Sequence, residues 1–299
     1  MHQQTLSRTY TFEGKGLHTG AFSHLCMKPA SEDSGIRFVR TDLGVEIPAL
    51  AGYISGTERS TSLSKDGADV CTVEHLLSAL TGMGVDNATL ELDNAELPIL
   101  DGSAFPYAEA IERDGLCPQD APRRYFTPSE PLEVRNPSSG SFVRVEPSDR
   151  FSLDVTMDFG SQVPGVQRLC WEEGDDYLGR IAPCRTFVFL HEVRDLASRG
   201  LVKGGDVDNA IVVVDRPVEP GELEKIARKV GRPGLKVLPD GYLSNLELRF
   251  PDECGRHKLL DLMGDLRLCG AWLHARVTAY KPGHGINAAA AGAIWKTIK

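Results

Sequence analysis

Residues 4–12 and 21–28 alternate between apolar and polar as strands do. Between them lies Gly14-Lys15-Gly16-Leu17-His18-Thr19-Gly20, whose three glycines suit a turn with positive φ, so the pattern predicts a hairpin. Ile36–Val39 and Gly44–Ile47 add short β pieces broken by Gly and Pro, and no long helix is expected before residue 72. The period then changes. Val73, Leu76, Leu77 and Leu80 fall at i, i+3, i+4 and i+7, an amphipathic helix that stops at Gly82 or Gly84. Ala88–Leu92 alternates again, and Asp101 or Ser103 is placed to cap a helix over 104–113.

A proline-rich shift from Cys117 to Pro131 marks the expected division into domains of residues 1–122 and 123–299. Beyond it, Leu132–Val134, Ser141–Val145 and Phe151–Phe159 read as strands, followed by Arg185–Phe189 and a helix over 191–199. Gly204-Gly205 turns the chain into Ala210–Val214, apolar enough to be buried on both faces, and Glu222–Val230 forms a charged helix with a solvated face. A helix around Arg256–Asp265 precedes Gly270 and a strand over Trp272–Tyr280. Asn287 is expected to cap a final Ala-rich helix. In both halves a histidine-bearing helix leads through glycine into an alternating strand, as if one unit were used twice. The expected fold class is α+β: two similar domains, each a small sheet layered on helices, with a site in the cleft between them.

The polar residues on those two helices suggest chemistry. His257 and Asp261 lie one turn apart, where an imidazole and a carboxylate can reach one small cation, although the spacing alone is a weak signal that an exposed same-face pair accounts for in most helices. Glu74 and His75 open the first helix, whose dipole favours the carboxylate and keeps the imidazole neutral and able to bind a metal. Facing domains would bring His75, His257 and Asp261 together as three ligands, leaving a fourth position open. His18, at its glycine-rich tip, is either a ligand contact or an exposed turn histidine.

Composition narrows the field. A net charge of −9 over 299 residues argues against a general nucleic-acid binder, and 41% hydrophobic content supports substantial cores. The seven cysteines form no C-x-x-C pair and read as reduced thiols. The polar N-terminus and the absence of any apolar run near 20 residues predict a soluble, cytoplasmic, non-membrane-spanning protein.

Taken together, Gly16-Leu17-His18-Thr19-Gly20, Thr72-Val73-Glu74-His75-Leu76, Asp101-Gly102-Ser103, Arg185-Thr186-Phe187, Arg256-His257-Lys258 with Asp261 and Asp265, and Lys281 with Gly283-His284 resemble the UDP-3-O-acyl-N-acetylglucosamine deacetylases, zinc amidases of lipid A synthesis. The motifs run in family order from Gly14 to Asn287. The resemblance implies zinc ligands at His75, His257 and Asp261, a general base at Glu74 and a cationic acid at His284 with Asp265 beside it. It puts Thr186 at the oxyanion and His18, Lys258, Phe187 and Lys281 at substrate contacts. An insert over about 187–214 would line the passage for the fatty-acyl chain. The implied cofactor is one Zn²⁺ per chain, with Fe²⁺ as the alternative, and the implied partner is the nucleotide-linked substrate of a monomeric enzyme.

Such a site meets the needs of amide hydrolysis: a nucleophile at neutral pH, an oxyanion stabiliser and a proton for the leaving amine. The pattern departs at Glu219 to about Tyr242, longer than expected, and no fused dehydratase domain is read in the chain. Two other readings stand beside this one: an amidase of the same fold acting on another N-acetyl sugar, and a catalytically silent binding protein. An acyl passage argues against the first, and a base together with an acid argues against the second.

Overall fold

A computed structural model of the chain describes residues 1–193, 203–204, 208–229 and 232–299. Its two five-stranded sheets have the same topology. The first runs, in spatial order, Tyr10–Lys15, Phe22–Pro29, Ala88–Leu92, Ile36–Arg40 and Val45–Pro48. The second runs Leu132–Arg135, Phe142–Pro147, Ala275–Tyr280, Ser152–Met157 and Gln167–Glu172. In each, the last strand in sequence enters the middle, antiparallel to the second strand and parallel to the third. A return to the centre in parallel needs a crossover, and the helix before each central strand, Glu74–Gly82 or Glu253–Arg267, supplies it. A second helix follows the central strand, Phe105–Asp114 in one unit and His284–Ile298 in the other. The protein is α+β, built from a sheet–helix unit used twice.

Alternation explains which face is covered. Leu25, Met27, Phe38, Leu90 and Leu92 of the first sheet and Val143, Val145, Leu153, Val155 and Val277 of the second are all buried, within one continuous core. Leu76, Leu77 and Leu80 of the first crossover helix and Leu259, Leu260 and Met263 of the second join the same core, so the helices pack on each other between the sheets. Their backbones come close at Gly264. A Cβ there would lie far inside van der Waals contact distance of the Glu74 carbonyl oxygen, so only glycine lets the two helices touch at this point.

Several boundaries differ from the pattern. Residues 4–12 split at Ser7–Thr9 into His2–Leu6 and Tyr10–Lys15, because His2–Leu6 leaves the sheet to pair with Leu116–Pro122. That partner strand lies in the proline-rich stretch, and a two-stranded ribbon has only edge strands, which tolerate Pro118 and Pro122. Likewise Trp272–Leu273 pairs with Tyr125–Phe126, so the strand expected over 272–280 begins its sheet pairing at Ala275. Gln167–Glu172 is an edge strand with only Leu169 and Trp171 buried, too sparse a signal to read.

The final helix starts at His284 with Gly283 as its N-cap. Asn287 does not cap it, because its amide turns inward to donate to Asp265. Nor does Asp101 or Ser103 cap the Phe105–Asp114 helix: its N-cap is Ala104, without a side-chain cap, and Ser103, one residue earlier, accepts from the Phe105 N–H at 3.1 Å while Asp101 accepts from Ser103. In the insert, Phe187–Phe189 and Ile211–Val213 pair in parallel. The helix expected over 191–199 lies outside the described residues beyond Val193, as does Gly205.

Candidate active site

The two crossover helices meet with their polar residues facing. His257 and Asp261 project from one helix and His75 from the start of the other, all buried. Nε2 of His257 lies 3.3 Å and Nε2 of His75 3.8 Å from Oδ1 of Asp261, and the two imidazoles stand edge to face with centroids 4.9 Å apart. Nδ1 of His257 is 3.0 Å from the Cys184 carbonyl, which can only accept, so the proton sits on Nδ1 and the Nε2 lone pair points into the cluster. Burial, and then the neighbouring His257, pushes the His75 pKa down to about 3; burial also lowers that of His257. Burial alone would raise the Asp261 carboxyl, but His257 and then Lys258 hold it well below the usual carboxylate range.

Asp261 Oδ1 is buried and accepts no hydrogen bond. An ionised oxygen without a donor, facing two neutral imidazole nitrogens, is costly unless a cation completes the set. The three donor atoms lie within 4.8 Å of one another. Two nitrogens and one oxygen converging in this way suit a divalent transition metal with a further position open to a small ligand.

Beside this cradle lies a second cluster, Glu74, Asp265 and His284. Nε2 of His284 is 3.9 Å from Glu74 Oε1 and 4.0 Å from Asp261 Oδ2, while its Nδ1 is 3.2 Å from Asp265 Oδ2. Burial works to lower the His284 pKa, but the charges of Glu74 and Asp265 outweigh it and raise it to about 9. Being the first residue of a helix, where the dipole disfavours a cation, it depends on those carboxylates all the more. Asp265 holds the ring in place through Nδ1. Burial raises the Glu74 carboxyl to about 8, against the pull of His284. A buried carboxyl and a buried imidazolium this close share a proton inventory, the setting for paired acid and base work.

The family model of the UDP-3-O-acyl N-acetylglycosamine deacetylases, LpxC, matches residues 3–225 and 235–296. The chain belongs to this family. It is 42% identical to the bifunctional enzyme LpxC/FabZ of Porphyromonas gingivalis over 99% of its own length and 65% of that protein's. It is 40% identical to the LpxC/FabZ of Chlorobaculum tepidum over 96% of this chain and 62% of the other. Its identity with the UDP-3-O-acyl-N-acetylglucosamine deacetylase of Myxococcus xanthus is 40%, over 96% of this chain and 84% of the relative. The chain thus spans less than two thirds of the two bifunctional relatives. Residues 226–234, which the LpxC model leaves unmatched, fall within the long segment from Glu219 to Tyr242.

The remaining residues singled out from the LpxC pattern lie around the two clusters at differing range. Lys258 Nζ contacts Asp261 Oδ2 at 2.5 Å and stands 5.3 Å over the Phe187 ring, whose centroid is 6.2 Å from that of His257. Thr186, just before it, is fixed by its main chain: its N–H donates to Gly102 and its carbonyl accepts from Ile211. His18 lies near enough to His284 for their charges to interact, and burial lowers its pKa. Lys281 sits further out, 3.4 Å from Asp158, on a groove of about 480 Å³ that also exposes one side of His284.

The structure adds Glu96, Glu253 and Thr61, which no motif singled out. Glu96 is buried and accepts from the His18 N–H, the Thr19 N–H and hydroxyl, and the Thr72 hydroxyl. A Cβ at Gly16 would collide with this carboxylate, which accounts for glycine at that point of the LpxC loop. Arg185 and Glu253 form a buried pair at the start of the second helix and fix the segment carrying the Cys184 carbonyl. Thr61 donates its N–H to Glu74 and its hydroxyl to Asp265. Only the fold brings these partners together, so spacing along the chain gave no signal for them.

Proposed function

We propose that the protein removes the N-acetyl group of a UDP-linked 3-O-acyl-N-acetylglucosamine, releasing acetate, as a metal-dependent deacetylase of lipid A synthesis. The observation that carries this reading is the buried pair of clusters, a three-donor cradle beside a carboxyl–imidazole couple, in a chain of the LpxC family. His75, His257 and Asp261 would hold one Zn²⁺, or Fe²⁺ in its place. When bound, such an ion polarises the acetamide carbonyl and brings the pKa of a coordinated water toward about 7.

Every other part falls to the chain. Glu74, whose carboxyl a dication nearby would draw back toward ionisation, accepts the proton of the attacking water. His284 holds its proton on Nε2 facing the cradle, stabilises the developing negative charge and protonates the leaving amine. Asp265 on Nδ1 keeps that ring cationic and oriented. The Thr186 hydroxyl assists at the oxyanion, Lys258 and His18 meet the phosphates, and Lys281 contacts the nucleotide side. Phe187 and the described parts of the insert present an apolar wall, with Phe159, Phe187 and Phe189 in mutual edge-to-face contact. Among the described residues no helix is long and apolar enough to cross a membrane. The proposed setting is the cytoplasm, with the enzyme working as one chain on two domains, 1–122 and 123–299.

The test is metal analysis joined to a deacetylation assay. About one divalent ion per chain is expected, together with acetate release from the UDP-linked acyl sugar. Substrate lacking the 3-O-acyl group should react far more slowly, since about 0.8 kcal/mol is available per buried CH₂. Equal rates on both would favour an amidase for small N-acetyl sugars, and metal binding without any hydrolysis would favour a silent binding protein.

A further inference from the structure

Thr61 touches both halves of the acid–base couple. It is fully buried in the loop leading into the strand Ser62–Lys65, and all its polar groups are engaged. Its N–H donates to Glu74 Oε2 at 3.0 Å, and its carbonyl accepts from the Val73 N–H, just ahead of the helix that begins with Glu74. Its hydroxyl donates to Asp265 Oδ1 at 2.5 Å, from the first half of the chain to the second, and lies 3.4 Å from His284 Nδ1. Asn287 and His284 occupy the other oxygen of Asp265.

We propose that Thr61 is a positioning residue of the reaction: its main chain orients the base Glu74 and its hydroxyl fixes the carboxylate that aims the acid His284. The geometry supports this role over simple packing. A valine would fill the same space and keep the main-chain bond to Glu74, yet it would leave Asp265 Oδ1 without its buried donor. The carboxylate would then rotate toward other donors, and Nε2 of His284 would lose its aim at Glu74 and the cradle. Serine keeps the donor and loses only a methyl group. The inference rests on the deacetylase reading for its kinetic arm and on the structure alone for its spectroscopic arm.

The experiment compares Thr61→Val and Thr61→Ser in the metal-loaded full chain. Thr61→Val should lower kcat by about 10- to 100-fold, the range for losing a hydrogen bond to a charged group, with KM and metal content unchanged. Thr61→Ser should restore most of the rate. In an Asp265→Asn background the valine substitution should cost much less than in the wild type, because the hydroxyl then acts on a group that no longer holds the imidazolium. The imidazole Nδ1–H resonance of His284, followed by NMR with labelled histidine, should move in the valine variant and stay in place in the serine variant. A valine variant with wild-type kcat, a serine variant as impaired as valine, or full additivity with Asp265→Asn would overturn the role. If the wild type fails to hydrolyse the UDP-linked substrate, the deacetylase reading falls. The resonance still decides the position of Thr61, and an unmoved signal in Thr61→Val rejects it.

Discussion

Helix Glu74–Gly82 of the first half and helix Glu253–Arg267 of the second occupy the same place in the same five-stranded topology, yet they carry very different amounts of chemistry. The first helix has nine residues and offers the site only its opening turn, Glu74 and His75. The second has 15 residues and presents His257, Asp261 and Asp265, one per turn along a single buried face. The helices that follow differ in the same way. One begins Phe105-Pro106 and packs into the core, whereas the other begins at His284 and points it at the cradle. The added segments differ too. A small three-stranded sheet in the first half supplies Thr61 just ahead of its central strand, and the long connection in the second supplies the Cys184 carbonyl against His257 and Arg185, which pairs with Glu253 of the helix. A shared topology therefore positions two helix ends, and the functions are set by what each copy grafts there.

The sharpest way to break this comparison is to remove groups from each helix and ask whether they serve one site. His75→Ala, His257→Ala and Asp261→Ala should each lose the divalent ion and reduce deacetylation to background, although they come from different halves. Glu74→Gln should keep the ion while activity falls by about two to four orders of magnitude, the usual range for a general base. Metal content by elemental analysis alongside kcat/KM separates the classes. Retention of the full metal complement in all three alanine variants would show that the halves do not share a cradle.

A smaller effect sharpens the role of the second half. The His284 pKa stands at about 9 because Glu74 and Asp265 together outweigh burial, which pulls it down. Removing one of those charges must lower it. Asp265→Asn should therefore shift the alkaline limb of the kcat/KM profile to lower pH and reduce the plateau by about tenfold, the lower end for outer partners of a site. If the alkaline limb stays where it is, another group sets it and His284 is not the acid.

How far the sequence carries a reader differs between these layers. The crossover helices were visible because Leu76, Leu77 and Leu80, or Leu259, Leu260 and Met263, repeat at helical spacing. Even the duplication showed in the order of helix, glycine and strand. Edge pairing did not show. His2–Leu6 with Leu116–Pro122, and Trp272–Leu273 with Tyr125–Phe126, join segments over a hundred residues apart, and the local pattern of neither segment names its partner. Candidate site residues contained in motifs were singled out through the family resemblance, and the structure gathers six of them into two adjoining clusters. Thr61, Glu96 and the Cys184 carbonyl act through main-chain groups or through partners distant in sequence, and such contacts leave no local pattern. Asn287 was assigned as a cap from its place before an Ala-rich run, but a buried carboxylate at Asp265 is a stronger partner than the end of a helix.

Two glycines, one on each principal helix of the second half, give the finest test. Glycine inside a helix ordinarily destabilises it by about 0.5–1 kcal/mol relative to alanine, so replacement by alanine should help wherever there is room. At Gly292, in the final helix, an added Cβ meets nothing within 4 Å, and Gly292→Ala should raise the melting temperature by about 1–4 °C. At Gly264 the same change drives the Cβ into the Glu74 carbonyl, where the neighbour is backbone and cannot swing aside. Gly264→Ala should instead cost about 1–3 kcal/mol and, because the pressed residue is the proposed base, lower the rate of the protein that remains folded. Opposite signs for one substitution in these two helices would locate a tight backbone contact between the repeats at Glu74. If Gly264→Ala were stabilising and fully active, the helices would not be joined there, and the fixed approach of base to cradle would need another cause.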